Sequence, residues 1–243
     1  MEQDRIVTQI APGVYSMTQN KGGHVRAFLL DNGTDLTLID TLFDTDARQV
    51  LERIGSIGRS IQDLKRILLT HGHRSHLGGL ATLKRLSGAT VYSHEWEADI
   101  IAGERTAQPV TIIPMGPLGT YWRVYYLQFG AALGRGKHPP CTVDSTLDDG
   151  DTVGPVRVLH TPGHTPGHLA FWWPEHRVLF AGDAIVTYPV FEAGWPAFNL
   201  NPTQQRNSLR RMADLGAEVL AVGHGEPITA GATQRVLSLA GGW

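Results

Sequence analysis

The sequence predicts an α+β fold in which two β-sheets pack face to face and helices cover their outer surfaces. Three observations carry that expectation. Each half of the chain opens with strand-like alternation of apolar and polar residues, then passes to helix and strand in turn. The helical stretches concentrate their apolar residues on one face, which needs a sheet to cover it. No low-complexity linker separates the halves, so residues 1–243 read as one domain with two layers around one core.

The elements follow in order. "GVYSMTQ", "HVRAFLLD" and "DLTLID" alternate as strands separated by "NKGG" and "DNGT" turns, and Asp40 ends the third. "DTDARQVLERIGSIG" reads as a helix capped by Asp44 or Thr45, with Ala47, Val50, Leu51 and Ile54 on one face. "LKRILLT" is a short buried strand that delivers a histidine cluster at its end. "LGGLATLKRLSG" is a helix closed by Gly88, "ATVYSH" a strand and "EWEADIIAG" a short helix.

From about 104 to 141 the pattern loosens into a Pro- and Gly-bounded insertion carrying Tyr121, Trp122, Tyr125, Tyr126 and Phe129. A helix there either docks on the core or forms a lid over a substrate pocket. In the second case Trp122, Tyr125 and Tyr126 line the pocket, with Phe191 and Trp195 from the "TYPVFEAGWPAFN" loop. "TLDDGDTV", "VRVLHT", "HLAFWWP" and "RVLFAGD" resume the strands, the last two as a hairpin around "EHR". "NPTQQRNSLRRMADLG" is a helix opened by Asn201-Pro202 and closed at Gly216. "EVLAVGHG" is a final strand and "TAGATQRVLSLAGG" a final helix.

Composition narrows the function classes. Hydrophobic residues at 42% and charged residues at 18% allow a sizeable core. A formal net charge of -2 without a Lys/Arg run lacks the electrostatic footprint of a nucleic-acid binder. The start "MEQDRIVTQIAPG" has no apolar signal-peptide run, and no stretch approaches the roughly 18 apolar residues of a membrane span. The single cysteine, Cys141, admits no internal disulfide, and together these features point to the cytoplasm. The eleven histidines are the oddity.

Their placement is informative. "LLTHGHRSHLGGL" holds His71, His73 and His76, and "HTPGHTPGH" holds His164 and His168; Asp183 ends "FAGD" and His224 lies in "VGHG". Flanking glycines let the backbone turn sharply and short side chains project into a shared cleft. Strand-end loops on one edge of a sandwich converge, which makes His71, His73, His76, His164, Asp183 and His224 candidate metal ligands. Imidazoles with a carboxylate suit zinc, and also iron or manganese. An isolated histidine is more often structural, and His94 is read that way.

With these residues in place, the sequence resembles the metallo-β-lactamase superfamily. That series is an Asp after an early strand, His-x-His-x-Asp-His, a lone His, an Asp and a last His. It is matched by "LID" at Asp40, "HGHRSH", "TPGHTPGH" at His164, "FAGD" at Asp183 and "GHG" at His224, from about residue 10 to 230. The resemblance implies a four-layer αββα sandwich with metals at one edge. It implies a first site of His71, His73 and His164, a second with His76 and His224, and Asp183 bridging both. Asp40 and His168 would stand behind the ligands, Asp40 holding an imidazole in its tautomer. The chain departs from the pattern at Ser75, where the family has an Asp that ligates the second metal and steers the protonated leaving group. A neutral, shorter hydroxyl is a far poorer ligand, so one tight zinc and a weak or altered second site are expected.

The chemistry so implied is hydrolysis of an ester, lactone or thioester, less readily a β-lactam, by a metal-bound hydroxide. Metal binding lowers the pKa of water from 15.7 towards about 7. Asp183 would handle the nucleophile's proton, and Ser75 would leave amine leaving groups poorly served. Aromatic residues near the cleft suggest a small-molecule substrate with an apolar acyl or aryl group. A glyoxalase II type loses ground because only nineteen residues follow His224, and a nuclease because no basic arm is visible. Two other readings are a mononuclear iron sulfur (persulfide) dioxygenase, with His71, His164 and Asp183 as its triad, and a non-catalytic metal-binding protein. Oligomeric state has no sequence signal.

Overall fold

Strand alternation sorts side chains to opposite faces of a sheet, and here both faces are covered. The computed structural model describes residues 8–107, 110–111, 113–133 and 137–241. Its strands are β1 Thr8–Ala11, β2 Val14–Gln19, β3 Val25–Asp31, β4 Leu36–Ile39, β5 Leu64–Leu68, β6 Thr90–Ser93 and β7 Ser145–Thr146, which lie in that order in one sheet. The second sheet runs β12-β11-β10-β9-β8, from β8 Thr152–Val153, β9 Val156–His160, β10 Leu169–Trp173, β11 Val178–Gly182 and β12 Val219–Val222.

Side chains from alternate positions build three apolar layers. Phe28 and Leu30 of β3 meet Leu169, Phe171 and Trp173 of β10 between the sheets. Ala27 and Leu29 instead face helices Arg48–Ser56 and Leu80–Ser87 on the first sheet's outside. Ala170 and Trp172 face helices Pro202–Ala213 and Ala232–Gly241 on the second sheet's outside. The result is a four-layer αββα sandwich, as the sequence predicts. Phe171 is fully buried, and truncating such a ring to alanine costs about 3–5 kcal/mol.

Several local expectations hold and others fail. Asn201 caps its helix, Oδ1 accepting the N–H groups of Thr203 and Gln204 at 3.1 Å each. The Trp173–Val178 hairpin turns through "EHR". Helix Arg48–Ser56 is capped by neither Asp44 nor Thr45; Ala47 precedes it at φ 55 with no side-chain cap. Asp44 instead receives Lys21 Nζ at 3.1 Å, and the Thr45 carbonyl accepts the Thr82 hydroxyl at 2.9 Å. "LGGLATLKRLSG" splits into the last residue of a one-turn helix, Arg74–Leu77, and helix Leu80–Ser87. "TLDDGDTV" is not one strand. Its first part continues from β7, its last part is β8, and the turn at 147–151 carries the chain from one sheet to the other. Strand β1 lacks any counterpart in the sequence reading.

The insertion contains helix Leu118–Ala132; its residues 108, 109, 112 and 134–136 lie outside the described ones. Tyr121 and Val124 are buried against Val186, Trp195 and Ala197, whereas Trp122, Tyr126 and Phe129 are exposed. Among the described residues no helix is long and apolar enough to cross a membrane.

One edge of the sandwich gathers the strand ends. The parallel pairs β4–β5 and β11–β12 finish there, with Ile39 opposite Leu68 and Gly182 opposite Val222. Backbone bonds stitch the sheets together at this edge: Leu169 N–H to the Thr70 carbonyl and Arg26 N–H to the Gly223 carbonyl, both 2.8 Å.

Candidate metal centre

Strand β5 delivers Thr70 and His71 to that edge, and the one-turn helix Arg74–Leu77 folds His76 back beneath them. The β9–β10 loop brings His164 and His168, β11 ends at Asp183, and β12 leads into His224. The six predicted ligands meet. His71, His73, His164 and Asp183 form one group of mutually close donor atoms, and His76, Asp183 and His224 a second, with Asp183 common to both.

The geometry fixes which nitrogens face inward. Nδ1 of His73 lies 2.9 Å from Nε2 of His71 and 3.0 Å from Nε2 of His164. The Thr70 hydroxyl donates to Asp40 Oδ2 at 2.9 Å and therefore accepts from His71 Nδ1 at 3.0 Å. Asn199 Oδ1 accepts from His164 Nδ1 at 3.1 Å, its amide oriented by Nδ2 donating to the Ala193 carbonyl at 2.8 Å. Both rings thus turn an unprotonated Nε2 towards His73. A proton on His73 Nδ1 could serve one of these lone pairs; a cation serves all three. Asp183 Oδ2 stands 3.8 Å from His71 Nε2, 3.6 Å from His164 Nε2 and 3.1 Å from His224 Nε2. His224 is oriented in the same way, Nδ1 donating to the Gly23 carbonyl at 2.9 Å.

The second group shows the fit most directly. His76 Nε2 and Asp183 Oδ1 are buried and 3.3 Å apart, yet neither has a hydrogen bond of acceptable geometry. Such atoms are costly to bury unless something charged satisfies them. The donor set suits a divalent metal.

Electrostatics point the same way. Burial drives the pKa values of His71 and His164 well below 6.5 and that of His73 down to about 4. Neutral imidazoles are the form that binds metal. Burial opposes the charge on Asp183, but the His224 and His76 rings against it hold its carboxyl well below the usual range. His76 is buried too, yet Asp183 and Asp40 on either side push it up to about 10. Two carboxylates here demand positive charge among the imidazoles.

The remaining predicted residues divide. Asp40, at a left-handed φ of 58, aims its carboxylate at His76 Nδ1 at 3.0 Å and at Thr70. His168 is no ligand: its Nε2 accepts the Asp183 N–H at 3.2 Å while Nδ1 contacts the Thr161 hydroxyl at 2.8 Å. Ser75 lies half-buried between His73 and His76. The Trp195 ring lies tilted against that of His224, centroids 4.3 Å apart. Phe191 packs with the second sheet's outer core under the Arg235 guanidinium, which removes it from the predicted pocket wall. Tyr125 spends its hydroxyl on the backbone of Met115 and Gly116. His94 lies apart from this cluster, beside His160 and Asp148, and its Nδ1 accepts the Trp96 N–H at 3.1 Å to start helix Glu95–Ile101. Sequence reasoning missed Thr70, Asn199 and Phe198, whose ring is 6.2 Å from that of His73. No motif marks them.

Comparison with known proteins agrees with this fold. Residues 20–224 match the Metallo-beta-lactamase superfamily. The chain is 28% identical over 236 residues to the probable metallo-hydrolase YflN of Bacillus subtilis, across 91% of this chain and 87% of that one. It is 32% identical over 160 residues to a hydroxyacylglutathione hydrolase of Pseudomonas aeruginosa, across 63% of this chain but only 44% of that enzyme. The crystal structure of metallo-beta-lactamase family protein TTHA1429 from Thermus thermophilus superposes with a TM-score of 0.69 at 32% identity, covering 96% of this chain and 79% of that one. By its layered fold, the order of its histidines and these likenesses, the chain belongs to the metallo-β-lactamase superfamily.

Proposed function

We propose that the protein is a metal-dependent hydrolase of ester, lactone or thioester bonds, with one tightly held ion, zinc in preference to iron or manganese. The observation that carries this reading is the convergence of His71 Nε2, His73 Nδ1 and His164 Nε2 beside Asp183. A divalent ion bound there supplies Lewis acidity, polarising a carbonyl and making water ionise near neutrality.

The chain's own residues do the rest. His71, His73 and His164 hold the ion, their tautomers fixed by Thr70 and Asn199. Asp183, whose Oδ2 lies beside the Nε2 atoms of His71, His164 and His224, orients the proton of the attacking water. His76 and His224 share Asp183 and complete a weaker second group. Where the family carries a carboxylate, Ser75 offers a neutral hydroxyl, so protonation of an amine leaving group is poorly supported. Alkoxides and thiolates leave with less help, which favours esters, lactones and thioesters over β-lactams. The half-buried Phe198 ring near His73 gives the site an apolar wall suited to an acyl or aryl group, backed by the buried Trp195. The thioester reading also draws on the likeness to hydroxyacylglutathione hydrolase, although the chain spans less than half of that relative.

A panel of a nitrophenyl ester, an acyl lactone, an acyl thioester and a chromogenic β-lactam tests the assignment with zinc-loaded protein. Turnover of at least one oxygen or sulfur ester well above the lactam is expected. A preference for the lactam would reject the leaving-group argument, and no turnover of any would reject the hydrolase.

A further inference from the structure

Helix Glu95–Ile101 stands behind the two loops that carry the tight site. Its third residue, Glu97, is only 1% exposed. Oε2 accepts the Gly72 N–H at 2.9 Å and Oε1 accepts the Gly167 N–H at 3.1 Å. Gly72 lies between His71 and His73, and Gly167 between His164 and His168. One carboxylate therefore holds the backbone of both ligand loops.

The contact is close enough to require glycine on each side. A Cβ at Gly72 would come within 2.9 Å of Glu97 Oε2 and of Ile100 Cγ2, and one at Gly167 within 2.9 Å of Glu97 Cγ. The acceptor chemistry is equally specific. An ionised carboxylate accepts at both oxygens, whereas a glutamine of the same shape accepts at one and turns an NH₂ towards the other amide. A buried N–H left without an acceptor is strongly disfavoured.

We propose that Glu97 is a positioning residue for the metal site, fixing the spacing of the His71–His73 loop against the His164 loop and so setting zinc affinity. This rests on the metal-site reading above. The carboxylate touches none of the donor nitrogens named there; it acts through the backbone that carries them. Donor atoms 2.9–3.0 Å apart, contributed by two separate loops, move out of range if either loop relaxes.

The test compares Glu97→Gln with Ile101→Val, a conservative change at a buried residue of the same helix. Zinc dissociation constants are measured by chelator competition, the visible spectrum of the cobalt-loaded protein is recorded, and melting of the metal-free protein is followed. Glu97→Gln is expected to weaken zinc binding by ~10–100-fold, the range for outer partners of metal ligands, and to change the cobalt spectrum. Ile101→Val is expected to lower the melting temperature while leaving zinc affinity unchanged. Zinc affinity of Glu97→Gln within twofold of the parent would overturn the proposal, whatever its melting temperature. Should that variant not fold, Gly167→Ala, which pushes the loop off the carboxylate, carries the same expectation and the same refutation. Retention of tight zinc by His71→Ala would instead refute the metal-site reading itself, a separate outcome.

Discussion

His76 Nε2 faces Asp183 Oδ1 across 3.3 Å, and neither buried atom is satisfied by a hydrogen bond. With the three convergent nitrogens of His71, His73 and His164 alongside, the cluster is built for positive charge. His71→Ala and His164→Ala are therefore expected to lose both tight zinc and hydrolysis. His94→Ala, which removes a helix cap instead, should keep its zinc. Elemental analysis after exhaustive dialysis separates the cases, and full metal retention in either of the first two variants would sink the ligand assignment.

Ser75 should limit the second group. His76, Asp183 and His224 supply three donors, and Ser75, next to His76, adds a neutral hydroxyl rather than a carboxylate. Ser75→Asp is expected to raise second-ion occupancy and to speed substrates with amine leaving groups relative to esters. Titration of the metal-free protein with zinc, followed calorimetrically, would show a second event strengthened in the variant. Identical isotherms for parent and variant would mean that Ser75 does not set the second site.

The insertion helix has two unlike faces. Tyr121 is 5% exposed and packs against the Trp195 cluster, whereas Trp122 is 55% exposed. Tyr121→Ala should cost about 3 kcal/mol of stability, and Trp122→Ala no more than about 0.5. If the helix is a lid, Trp122→Ala will shift relative rates across acyl chain lengths. Unchanged relative rates would make the segment packing alone.

His94 gives the fold a pH dependence away from the metal cluster. Its Nδ1 must be unprotonated to accept the Trp96 N–H, and its ring stacks on His160 at 4.4 Å. Burial, then the adjacent His160, hold its pKa below the ordinary 6.5. For a base whose folded pKa is lowered, the stabilisation is present above the unfolded value and is lost as pH falls through the folded one. His94→Asn keeps a capping oxygen that does not titrate. Melting temperatures of parent and variant should converge, or cross in the variant's favour, as pH drops from 7 towards 5. Parallel curves would show that the cap does not titrate.

Much of this was legible because it rests on periodicity and on residue type at strand ends. Alternation in "HVRAFLLD" and "HLAFWW" gives the covered sheets, and glycine-flanked histidines after apolar runs give the candidate ligands that the fold brings together. What was hidden depends on tertiary approach. Glu97 looks like any acidic residue in a helix's first turn, and Asn199 like a loop polar residue, until folding sets them against Gly72 and His164. The cap of helix Arg48–Ser56 failed because Asp44 is claimed by Lys21. "TLDDGDTV" misled because its two ends pair with different sheets.

The most direct measurement is hydrolysis followed while metal-free protein is titrated with zinc. Activity towards an ester, lactone or thioester should be absent without metal, rise linearly and saturate at about one zinc per chain. Activity that survives metal removal, or that appears only beyond a second equivalent, would contradict a hydrolase working from the single tight site of His71, His73 and His164.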